Sequence, residues 1–65
     1  MATTAFSVVL KEIEEHRESI ARALIDGTAK DFSEYRDMCG QILGLSTARM
    51  FINDLVRKME QDEDE

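Results

Sequence analysis

The chain has 65 residues, a formal charge of −6, one Cys, one His, and neither Pro nor Trp. It is too short for more than one folding unit, and a chain of this size buries only about 60% of its unfolded surface. One Cys closes no intrachain disulfide and one Cys with one His makes no four-ligand zinc site, so self-association or docking on a partner is left to stabilise it.

Fourteen Asp and Glu stand against eight Lys and Arg. Nucleic-acid affinity comes from cations that neutralise phosphate, so no nucleic-acid partner is expected. Anionic membranes are disfavoured for the same reason. The excess lies at the end: residues 60–65 carry five acidic side chains and no basic one, leaving nine acidic against eight basic residues elsewhere. The N-terminal apolar residues follow no charged segment, so they do not read as a signal peptide. No stretch approaches the ~20 apolar residues of a membrane span. A single thiol fits a reducing compartment. The expected reading is a soluble, cytoplasmic chain.

The first element is a helix from about Ala5 to Asp26, capped by Thr3 or Thr4. Phe6, Val9, Ile13, His16, Ile20 and Ala23 step by three and four and read as its seam, with Leu10, Arg17 and Leu24 on the flank. Glu18 and Arg22 are spaced for an i,i+4 ion pair. Gly27 supplies the left-handed residue that ends the helix. Thr28, Ala29 and Lys30 connect to Asp31-Phe-Ser-Glu34, which reads as a capping box. The second helix runs from about Phe32 to Glu60. Its apolar arc is wider: Tyr35, Met38, Cys39, Ile42, Leu45, Ile52, Leu55, Val56 and Met59, with Leu43, Met50 and Phe51 to the sides.

So short a connection makes the helices antiparallel. The expected fold is all-α: an antiparallel two-helix hairpin over residues 1–59 with an acidic tail at 60–65, oligomeric or docked on a larger protein. Pairing outward from Gly27 sets Phe6 near Phe51 or Ile52. Helix two then overhangs at its C-terminal end, leaving Leu55, Val56 and Met59 for another chain.

The candidate partner-binding residues are Tyr35, Arg36, Gly40, Gly44, Phe51, Leu55, Val56 and Met59. Tyr35 with Arg36 offers an amphipathic surface and a bidentate donor near the turn; the alternative packs Tyr35 on Leu24 or Ile25. Gly40, Gly44 and Ala48 recur every four residues, and each glycine costs a helix about 1 kcal/mol against alanine. Close approach of another backbone offsets that, whether from the first helix or from another chain. Cys39 reads as a small buried hydrophobe, and His16 as a half-buried seam residue. No catalytic, cofactor or metal residues are expected: a hairpin offers no water-excluding pocket, so the chain does not read as an enzyme.

The run Phe32-Ser-Glu-Tyr35-Arg-x-x-Cys39-Gly40-x-Ile42-x-Gly44-Leu45, followed by Ala48…Ile52-x-Asp54-Leu55 and an acidic end, resembles small uncharacterised helical-hairpin proteins of tailed bacteriophages. Genes of that group tend to lie near head and portal genes. The resemblance implies an accessory role in virion structure or head assembly, with the chain's own copies or a larger virion protein as partner. The acidic tail suggests an alternative, a small early regulator that binds and inhibits a host protein. In length the hairpin also resembles the Rop family, which pairs into four-helix bundles and binds RNA; the basic RNA-facing positions are missing here.

Overall fold

The computed structural model describes the backbone of residues 2–63 and the side chains of residues 4–61. It contains two antiparallel helices, α1 (Ala2–Ile25) and α2 (Phe32–Glu63), packed along one another. Thr3 and Thr4 lie inside α1 rather than capping it, because the helix begins at Ala2. α2 carries the helix three residues past Glu60, into the acidic segment; residues 64 and 65 lie outside the described residues.

The turn follows its local chemistry. Gly27 takes φ +74°, a conformation that costs a Cβ-bearing residue about 1–2 kcal/mol. The Thr28 N–H donates to the Ala23 carbonyl at 3.1 Å and the Gly27 N–H to the Leu24 carbonyl at 3.1 Å. This is the paired bonding of a Schellman ending, which satisfies carbonyls that the last turn leaves open. The Thr28 hydroxyl adds a 2.9 Å bond to Ala23 O. At the start of α2 the Glu34 N–H donates to Asp31 Oδ1 at 2.8 Å. Only this half of the capping box forms.

The seam is phased differently from the expected one. In α1 half-covered residues step 4-3-4-3-4 through Phe6, Leu10, Ile13, Arg17, Ile20 and Leu24, with Glu14, Ala21 and the expected Ala23 half-covered beside them. In α2 they step through Met38, Ile42, Leu45, Arg49, Ile52, Val56 and Met59 with the same alternation. This is the a/d pattern of a coiled-coil seam. Val9 is 41% exposed, and His16 is exposed, so both stand on the flank. Leu10, Arg17 and Leu24 take the seam instead.

The register also differs. Arg17 meets Ser46, Glu14 meets Arg49, and Ala21 shares a hollow with Ile42; in each pair the two numbers total 63. Phe6 therefore stands level with Arg57, and Val56 and Met59 fall within the paired length and are half-covered. The expected C-terminal overhang is absent. α2 has 32 residues to α1's 24, and by this register the extra turns Phe32–Asp37 stand beyond the end of α1, beside the connection. They add roughly 9 Å at 1.5 Å per residue.

No described side chain is fully buried. The molecule is a rod, 52 × 15 × 12 Å along its Cα axes, and one helix–helix contact encloses nothing. Val56 and Leu55 separate its two environments. Val56→Asp is expected to lower hairpin stability by about 1 kcal/mol or more, since it places a charge on the seam. Leu55→Asp, compared with wild type at a concentration where both are monomeric, should leave helicity unchanged and the unfolding free energy within about 0.5 kcal/mol. Circular dichroism at 222 nm through a urea titration reads both.

Candidate functional site

α2 presents three stripes. The seam faces α1. On one flank lie Phe32, Tyr35, Leu43 and Met50, exposed by 71, 48, 69 and 55%. On the other lie Gly40, Gly44 and Ala48, continuing into Phe51 (66% exposed) and Leu55 (45%). At 100° per residue this last stripe is centred roughly 110° from the seam.

The glycine stripe does not serve α1. A Cβ built on Gly40 or Gly44 meets nothing within 4 Å. The close contact that would offset two mid-helix glycines is therefore not supplied within the chain. Leu55 stands level with Val8 in the register, so its exposure comes from its direction on the helix rather than from an overhang.

Near the turn, Tyr35 does not cover Ile25, which is 84% exposed. The Tyr35 ring stacks instead on Phe32, with centroids 6.2 Å apart and planes at 22°. The neighbouring Cys39 thiol, one turn on, raises the Tyr35 hydroxyl above its usual pKa of 10.0, with burial adding to the effect. Cys39 is a free, half-covered thiol. Arg36 is exposed.

Midway along the seam sits a polar layer that hydropathy patterning missed. Arg17 donates to Glu14 Oε1 at 2.6 Å and to Ser46 Oγ at 3.2 Å; Arg49 donates to Glu14 Oε2 at 3.0 Å. One carboxylate thus joins two guanidinium groups from two helices. The Glu14 carboxyl is held below its ordinary 4.5, chiefly by the Arg17 hydrogen bond; desolvation opposes this, and the charges of Arg17 and Arg49 and the Arg49 hydrogen bond add to the lowering. Arg17 Nε is shut off from solvent without an acceptor, which costs about 1–3 kcal/mol for such a group. The expected Glu18–Arg22 ion pair does not form; Glu14 makes both ion pairs of the described residues. The signal was present in the sequence, since Glu14 and Arg17 are three apart and Arg17 and Arg49 both complete a 4-3 repeat.

The surface hollows are open grooves. One runs along α2 past Ser46, Met50 and Asn53, another along the outer face of α1. Among the described residues no group of three or more His, Cys, Asp or Glu is placed to hold a metal ion, and no helix is long and apolar enough to cross a membrane. Comparison with family models, with curated proteins and with solved structures gives no match.

The polar layer has a definite sign with pH. Because the folded-state pKa of Glu14 is depressed, its contribution is complete above 4.5 and is lost as pH falls through the lower folded value. Thermal melts of the wild type should therefore drop more steeply below pH 4.5 than those of Glu14→Gln. Arg17→Leu, which keeps the Glu14–Arg49 pair and fills the seam with an apolar side chain, should raise the melting temperature.

Proposed function

We propose that the chain is a helical protein–protein interaction module that completes its core against other chains, acting as a structural or assembly accessory of a phage head or portal region. The observation that carries the interaction reading is that none of the described side chains is fully buried in a chain that is 43% hydrophobic. Nine large apolar residues are exposed, and those on α2 form two continuous flanks. Leaving several such side chains in water forgoes about 1.5–3 kcal/mol each, and contiguous apolar patches of this kind mark association surfaces. The phage assignment rests on the resemblance of the Tyr35-to-Leu45 run and the helix after it.

Two measurements test the parts separately. If association stabilises the fold, the thermal midpoint rises with protein concentration, by several degrees between about 5 and 500 μM; a midpoint independent of concentration excludes self-association as the stabilising step. Mass spectrometry of purified phage particles should find the chain at stoichiometric copy number, and its absence from the particles overturns the virion role.

A further inference from the structure

Resting on the interaction reading, we infer that the Gly40–Leu55 stripe of α2 binds the same stripe of a second copy, antiparallel, about a two-fold axis passing between Thr47 and Ala48. Three observations lead there.

The first is a match of shape within one stripe. Its N-terminal half holds Gly40 and Gly44, over which there is open space. Its C-terminal half holds Phe51 and Leu55, both exposed. Each pair is spaced by four. In an antiparallel pairing whose facing numbers total 95, Leu55 of one copy meets Gly40 of the other, and Phe51 meets Gly44. The two-fold axis repeats both contacts. A surface that is its own complement in this way is what a two-fold interface requires. The opposite flank lacks the property: its exposed residues Phe32, Tyr35, Leu43 and Met50 are all bulky, with no glycine among them to receive a large side chain.

The second is charge. Asp37 and Lys58 lie within the same ~80° arc of the helical wheel, one beyond each end of the apolar stripe. Both are exposed and neither makes an ion pair among the described residues. Their numbers also total 95, so the same operation sets Asp37 of each copy against Lys58 of the other. Within one chain they stand 21 residues apart, roughly 32 Å, and cannot meet.

The third is area. The hairpin exposes 5243 Å², whereas a globular monomer of 7.4 kDa exposes about 4,200 Å² by the usual surface–mass scaling. The excess is on the order of 1,000 Å² per chain. That surplus is spread over the whole rod and leaves surface free for a second chain. Open glycines also let the two helix axes approach at the short end of the usual 8–10 Å range.

The test uses the full chain and two charge variants, Asp37→Lys and Lys58→Asp. Each variant alone places like charges at both ends of the dimer and should dimerise roughly tenfold more weakly than wild type. Mixed in equal amounts, they place opposite charges at both ends. Sedimentation and native mass spectrometry should then show a heterodimer with wild-type affinity to within about twofold. Gly44→Leu, a better helix former, should keep hairpin helicity and lose the dimer. The proposed interface is overturned if the mixture associates no more tightly than either variant alone, or if Gly44→Leu dimerises like wild type. Should the wild type remain dimeric in those cases, this pairing falls while the interaction reading stands. A wild type that stays monomeric at 500 μM overturns the pairing as well, and leaves the interaction reading only a different chain as partner.

Discussion

A pair of helices has a single interface, and every apolar side chain that misses it faces water. That constraint governs the rest of this molecule. α1 is amphipathic and spends its apolar face on the seam; α2 is apolar on three sides and spends one. The 4-3 repeat through Met38, Ile42, Leu45, Ile52, Val56 and Met59 is only half-covered even where α1 lies on it. Half-covered leucines and isoleucines contribute only part of their transfer energy, and a hairpin of this size has no other source of stability than its caps and one polar layer.

That layer decides how the helices align. Apolar side chains on a seam accept a slip of one heptad with little loss, because a methyl group packs on whichever methyl group arrives. Glu14 does not: it bonds Arg17 on its own helix and Arg49 on the other, and a slip carries Arg49 away from the carboxylate while the Glu14–Arg17 pair stays on α1. The unsatisfied Arg17 Nε indicates that the layer is not optimised for stability. Polar residues at seam positions characteristically fix register at some cost, and the Glu14 pairs fix Ala21 level with Ile42 and Phe6 level with Arg57.

Much of the fold was legible in the sequence. The hairpin, the Gly27 ending and the Asp31 cap all follow from residue chemistry that acts within a few positions. The phase of the seam was not. Val9, His16 and Ala23 and the alternative Leu10, Arg17 and Leu24 are both at helical spacing, one residue apart. Counting Arg17 as polar favours the first set, yet its aliphatic stem covers the seam while its head finds Glu14. The register failed for a related reason. Counting outward from Gly27 assumes a connection that turns in place, whereas the chain between Ile25 and Phe32 climbs along the axis, so α2's surplus falls at the turn end. The register error put Val56 and Met59 beyond the paired length, though they belong to the seam. The four-residue spacing of Gly40 and Gly44 was legible; that α1 leaves the space over both of them open was not.

The separation of the stripes on α2 carries a further consequence. The seam and the Gly40–Leu55 stripe lie roughly 110° apart on one helix, so contacts at one do not displace those at the other. They are nevertheless linked energetically. Gly40 and Gly44 each weaken an isolated helix by about 1 kcal/mol, and in the lone hairpin nothing compensates. Whatever covers them must order α2 and thereby strengthen the seam, while anything that frays the seam loosens the stripe. Coupling of this kind needs no change of shape: binding at one face reduces the entropy still to be lost at the other. A weak hairpin with open glycines is thus suited to a module whose folding is completed by association, and the polar layer ensures that the α1–α2 register is already fixed when the partner arrives.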